Sequence, residues 1–180
     1  MAAAQTQVGT WRIDPAHSLA EFAVKHLMVS TVKGRFRELE GRIHLDEDSP
    51  EQSYVEARIP VASIDTGIAE RDAHLRSDDF FNAADFPYVT FRSTGVERVS
   101  DGDWRVRGDL TIRDITKEVV LETEFEGRSS GQAGQVVAFT ATTAVSRKEF
   151  GLRWNAVLES GTVVVGDRVT ITLNVEAVRE

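Results

Sequence analysis

A chain of 180 residues, 41% hydrophobic and 28% charged, is long enough to bury one sizeable core. Its 29 acidic against 21 basic side chains give a net charge of −8, which repels phosphate backbones and anionic membrane surfaces and argues against nucleic acid as a partner. With no cysteine, disulfides, thiolate chemistry and cysteine-ligated zinc are excluded.

Residues 1–9 read as a flexible tail, since MAAAQTQVGT has neither the basic start nor the apolar centre of a secretory signal. No apolar run approaches the ~18 residues of a membrane helix, so the expectation is a cytoplasmic protein without stable membrane insertion. Residues 10–180 show no internal repeat and no break in composition, and a single domain is expected there. Period-2 alternation dominates it. Strands are expected over 10–14, 19–27 and 29–36, then where Gly41, Ile43 and Leu45 alternate with Arg42, His44 and Asp46. DEDSPE at 46–51 lacks the glycine and ligand spacing of a calcium loop and reads as a solvated turn. The next strand is expected over 54–61.

The rhythm breaks at 63–77. Ile64, Ile68 and Leu75 approximate a helical stripe among charges, which predicts one or two short helical turns crossing a barrel end, bracketed by Pro60 and Pro87. GIAERDAHLRSDDFF at 67–81 gathers Arg71, Asp72 and His74 before Phe80 and Phe81. By residue type alone, the charges suit a local ion-pair and capping network. Phe80, Phe81, Phe86 and Phe91 suit plugs for a barrel end.

Strands resume over 88–99. Trp104, Val106, Leu110 and Ile112 then share one face with Gly108, opposite Arg105, Arg107, Asp109, Thr111 and Arg113. Val119, Leu121, Thr123 and Phe125 come next, and residues 136–147 turn Val137, Phe139, Ala141, Thr143 and Val145 inward. The last strand sets Val169, Ile171, Leu173, Val175 and Ala177 inward. Turns fall at SDGD (100–103), GRSSGQAG (127–134) and VGD (165–167). GRSSG matches the letters of a hydrolase nucleophile elbow at Ser129, but that elbow needs a helix after it, and here another strand comes next. A hairpin loop is the reading.

Eight or nine long strands with little helix must cover their apolar faces with one another. The fold class expected is all-β: an extended antiparallel β-barrel of about eight strands, with one short helical excursion near 63–77. A β-sandwich is the structural alternative. Closure removes edge strands, and about eight strands leave room for side chains or one small ligand. His17, His26, His44 and His74 form no HxH, HxxxH or HExxH spacing, so no metal site is read locally. His26 shares the parity of Ala20, Phe22 and Val24, which places it inward, as a core histidine or as a polar group in a channel.

WRIDPAHSLAEFAVKH, VKGRF, SIDTG, RDAHLRSDDFF, FPYVTFRST, GDLTIRDITKEV and FGL, in this order, resemble the motifs of the YceI-like family, from about Trp11 to Ala177. That family is lipocalin-like and associated with binding polyisoprenoids. The resemblance implies a barrel whose apolar pore accepts a polyprenyl chain, polyprenyl phosphate, isoprenoid quinone or similar lipid, with no catalytic residue and no cofactor. Relatives suggest a homodimer, and many of them are exported. On this reading Arg71 and His74 meet the head group and Phe80 and Phe81 flank the tail. Phe22, Val24, Leu110, Ile112, Phe139 and Trp154 are expected to line the pore by parity or by nearness to FGL. His26, Phe86, Phe91 and Leu152 complete the expected binding residues. Asp114 stands where the family usually has glycine, which predicts a differently shaped turn. Two other function classes stay open: acid–base catalysis on an apolar substrate by His26 or His74 with Asp72, and a ligand-free interaction module.

Overall fold

The structure, a computed structural model, describes residues 8–132 and 134–180. Among these, eleven strands run in chain order. They are β1 (Val8–Ile13), β2 (Leu19–His26), β3 (Ser30–Phe36), β4 (Glu40–Asp46), β5 (Tyr54–Pro60), β6 (Ile64–Asp65), β7 (Tyr88–Ser100), β8 (Asp103–Ile112), β9 (Ile115–Gly131), β10 (Gly134–Ser146) and β11 (Val165–Arg179). The helix α1 (Ala69–Arg76) lies between β6 and β7. The first strand begins at Val8, inside the expected tail, and residues 1–7 of that tail lie outside the described residues.

Eight strands, in the order β1-β4-β5-β7-β8-β9-β10-β11, close into an antiparallel barrel through the β1–β11 pairing. The fold is therefore the expected barrel and not a sandwich. The length of β11 lets one edge pair twice: Ile13 of β1 faces Ala177, and Leu19 of β2 faces Asn174. β1 and β2 are thus two halves of one line, interrupted at 14–18. From β2 the sheet continues into β3 and β6. The short β6 and α1 separate what sequence pattern joined: Ile64 is buried in the sheet, Ile68 is exposed, and only Leu75 belongs to the helix. Ile64, Ile68 and Leu75 are not one helical stripe.

Turn chemistry explains two further differences. β9 runs on to Gly131, with Ser129 facing Val136, so the loop is shorter than 127–134 and the elbow pattern lies in a strand. Gly127 (φ 145) sits where the register slips by one residue against Ala138 and Phe139, a bulge that bends the strand. In the β8–β9 turn the left-handed residue is Arg113 (φ 55), not Asp114. Glycine is therefore not required at Asp114, and a hairpin with one positive φ accommodates it.

The inward parity holds along β8, β10 and β11, whereas in β7 a bulge between Ser93 and Gly95 shifts it, so that Val89 and Phe91 face inward before it and Val96 after it. At one end of the barrel Trp11, Leu45, Trp104, Val137 and Ala177 pack tightly, with Phe125 and Phe139 against them. Farther along, Val145, Val169, Ile171 and Leu173 also point inward yet are only half-buried. Inward residues keep accessible surface only where a void adjoins them.

Candidate ligand cavity

That void is a cavity of about 270 Å³ bounded by side chains from most of the strands, and its exposed wall is apolar throughout. The volume approaches the ~300–1,000 Å³ of ligand pockets. Phe22, Val24, Leu110, Ile112 and Phe139 line it, as parity predicts. Phe80, Phe81, Phe91 and Leu152 line it too, brought in by the loops around α1 and after β10 and, for Phe91, by β7.

Two glycines help to keep the barrel open. Gly34 of β3 faces Phe22, and a Cβ on it would lie 2.4 Å from that ring. A Cβ on Gly108 would lie 2.4 Å from the Phe91 ring and 2.6 Å from the Arg92 carbonyl. Without side chains beneath them, both rings lie back against the wall. Phe22, Phe36 and Phe81 continue this lining as a chain of tilted and edge-on contacts at 5.7 and 5.6 Å.

Five expected site residues are placed elsewhere. His26 ends β2 exposed, paired with Ser30 and Val165, because the strand has left the barrel interior by that point. Arg71 donates from Nε to the Thr66 hydroxyl and from Nη2 to the Thr66 carbonyl, both at 2.8 Å, and does not reach the cavity. His74 pairs through Nε2 with Asp79 at 2.8 Å and packs edge-on against Phe80 and Trp154. Trp154 therefore stacks behind Phe80, one layer from the cavity. Phe86 lies under the Arg113 guanidinium, 5.9 Å from its ring centre. The buried Asp72 carboxylate accepts from the Thr66 amide and hydroxyl at 2.8 and 2.5 Å, while the hydrogen bond of the His74 ring is to Asp79.

Arg147 is the residue that strand parity alone did not assign. It is 5% exposed, and its stem forms part of the cavity wall. Nε donates to the Gly166 carbonyl at 2.7 Å, Nη1 to Leu152 and Trp154 at 2.7 and 2.9 Å, and Nη2 to Val165 at 3.2 Å. Burial holds its pKa below the usual guanidinium range, opposed by the charge of Asp167. The signal was present in the rhythm: 137, 139, 141, 143 and 145 point inward, and 147 is next. Four carbonyls in place of a carboxylate staple the segment after β10 to the start of β11.

A second cluster invisible to local spacing lies outside the cavity. His17 Nδ1 meets Asp14 Oδ2 at 2.8 Å and Glu176 Oε1 at 3.7 Å, at the interruption between β1 and β2. The Asp14 hydrogen bond and then the Glu176 charge raise the His17 pKa, while the His17 bond and the Ala16 amide lower that of Asp14. Glu176 comes from the far end of the chain, so only the β11 pairing brings the three together.

Comparison with known proteins agrees with this architecture. The model of the YceI-like domain matches residues 11–177. A UPF0312 protein of Staphylococcus aureus strain USA300 is 36% identical over 165 residues, 91% of this chain and 94% of its own. The crystal structure of Burkholderia cenocepacia BcnA superimposes with a TM-score of 0.80 at 21% identity, over 91% of this chain and 98% of that one. A polyisoprenoid binding domain from Saccharophagus degradans does so with 0.72 at 15% identity, over 97% and 100%. At these identities the two structures speak for the fold. The family match and the S. aureus relative together show that this chain belongs to the YceI-like family.

Proposed function

We propose that the chain binds a long-chain isoprenoid or another amphipathic lipid in its barrel and carries or stores it without transforming it. The observation that carries this reading is the cavity, whose wall is built mainly from aliphatic and aromatic side chains. The likeness in fold to a polyisoprenoid binding domain supports the same class of ligand. Burying a methylene is worth about 0.8 kcal/mol, but large ligands return nearer ~0.3 kcal/mol per atom once ordering costs are included. At that figure every tail carbon that enters the cavity adds to affinity, so the buried part of the tail would dominate it. Quinones and polyprenyl phosphates both fall within this class. No His–Asp pair among the described residues faces the cavity, so the acid–base alternative has nothing to support it.

Native mass spectrometry of the purified protein, then organic extraction, tests the reading. The expected result is a stoichiometric polyprenyl or long-chain species released from the protein. A clean apo mass that stays unchanged after incubation with prenyl lipids and quinones would overturn it.

A further inference from the structure

The β2–β3 hairpin turns through Leu27 (φ 52) and Met28 (φ 60), with the Val29 amide donating to the His26 carbonyl at 3.2 Å. A turn with two left-handed residues ordinarily takes Asn-Gly, because bulky side chains are strained there. Here HLMVS places leucine and methionine in those positions and leaves an apolar tip in solvent: Met28 is 55% and Val29 83% accessible. Strain of this kind persists where the surrounding structure holds it and is concentrated at functional sites.

A second apolar tip adjoins the first. Residues 155–165 fold back on themselves through the Val157–Val163 bridge and the Leu158 amide on the Thr162 carbonyl at 3.0 Å. The Leu27 amide donates to the Val164 carbonyl at 2.9 Å, which ties the two loops together. Val157 is 68% and Leu158 45% accessible. Among the described residues, four of the nine exposed large hydrophobic side chains thus fall on two neighbouring loops, a concentration that single scattered residues do not produce.

The surroundings are basic in an acidic protein. In the strands and turns that flank the two loops, Lys25, Lys33, Lys148, Arg153 and Arg168 are exposed, against an exposed Glu149 and a half-buried Asp167; within the second loop the one charged side chain is the exposed Glu159, and the chain as a whole carries −8. Asp167 is moreover engaged by the Ser146 hydroxyl at 2.7 Å and the Lys148 amide at 3.1 Å. The bases of both loops reach the cavity, since Val24, Leu152 and Val165 line it. The Arg147 staple holds the second loop at its foot.

We propose that these two loops form a face that docks on an anionic lipid bilayer. Met28, Val29, Val157 and Leu158 enter the boundary between head groups and acyl chains, and the flanking cations meet anionic lipids, while the acidic remainder of the barrel points away. A second copy of the chain suits the face less well, because it would set two basic rims against each other. The face is continuous with the cavity wall, so a docked barrel would present its interior to the membrane.

The test is co-sedimentation of the full chain with vesicles of phosphatidylcholine alone and of phosphatidylcholine with about 30% phosphatidylglycerol. Binding to the anionic vesicles is expected, at least tenfold weaker on neutral vesicles, declining as salt rises. The doubly substituted Val29→Glu, Val157→Glu protein should lose at least tenfold on the anionic vesicles while keeping the thermal transition of the parent. Absence of binding to either vesicle, or a variant that binds as well as the parent, would overturn the proposal. So would a dimer in light scattering that the double variant abolishes without any vesicle binding, since the face would then belong to a second copy. Lipid delivered to the cavity from detergent is measured separately, so loss of docking and loss of cavity binding are distinguishable.

Discussion

Ala141→Phe separates a hollow barrel from a filled one. Ala141 points inward from β10, between Thr123 of β9 and Leu173 of β11, and lines the cavity. The substitution adds a six-carbon ring to that wall. If the space is real, the ring enters it and takes the place of about as many ligand carbons. At about 0.3 kcal/mol per ligand atom the loss is ~2 kcal/mol, roughly a thirtyfold weaker lipid complex. The apo protein should respond in the opposite sense, because newly buried ring surface fills a void; at ~2–4 °C per kcal/mol for a chain of this size, the melting temperature rises by a few degrees. In a tightly packed interior the same ring would force neighbours off their rotamers and cost about 1–3 kcal/mol. Thermal melts of the apo protein and titration with a fluorescent prenyl lipid give the two readouts. A lower melting temperature together with unchanged lipid affinity would refute the cavity argument.

The geometry sets three other outcomes. Arg147→Met leaves the carbonyls of Leu152, Trp154, Val165 and Gly166 without their donor and should cost about 3 kcal/mol or more, with faster amide exchange through 151–166; Arg147→Lys should recover less than half, since one ammonium cannot span the four. Gly34→Val drives a side chain into the Phe22 ring and should destabilise by roughly 1–3 kcal/mol while pushing that ring into the cavity, read by melts and by reduced lipid uptake. At the β1–β2 interruption, the raised His17 pKa contributes stability that is fully present below about pH 6.5 and is lost as pH rises through the folded value. The lowered Asp14 pKa contributes stability present above about pH 3.8 and lost as pH falls through its folded value. Melting temperature against pH should therefore show an alkaline decline that His17→Ala removes, and an identical profile in the variant would count against the pairing.

Much of the barrel was legible in one dimension because a strand's period of two ties each side chain to a face. Trp104 to Ile112 and Val169 to Ala177 announce which face is greasy, and parity alone names Phe22, Val24, Leu110, Ile112 and Phe139 as wall residues. Parity carries no information about where a strand leaves the barrel, so His26, one step beyond Val24 in the same rhythm, was placed inward and lies outside. Nor does it say what a polar side chain finds once folded: Arg71 is spent on Thr66, and His74 on Asp79 with Trp154, because helix α1 closes on its own neighbours.

The amino-acid sequence by itself determined the fold class, the inward face and the family to which the motifs belong. These depend on local alternation and on residue type. Only the tertiary structure decided that the interior is hollow, that Arg147 staples the wall, and that Asp14 meets Glu176. Each of these depends on contacts between residues far apart in the chain, and on the space left after packing, which no local pattern encodes.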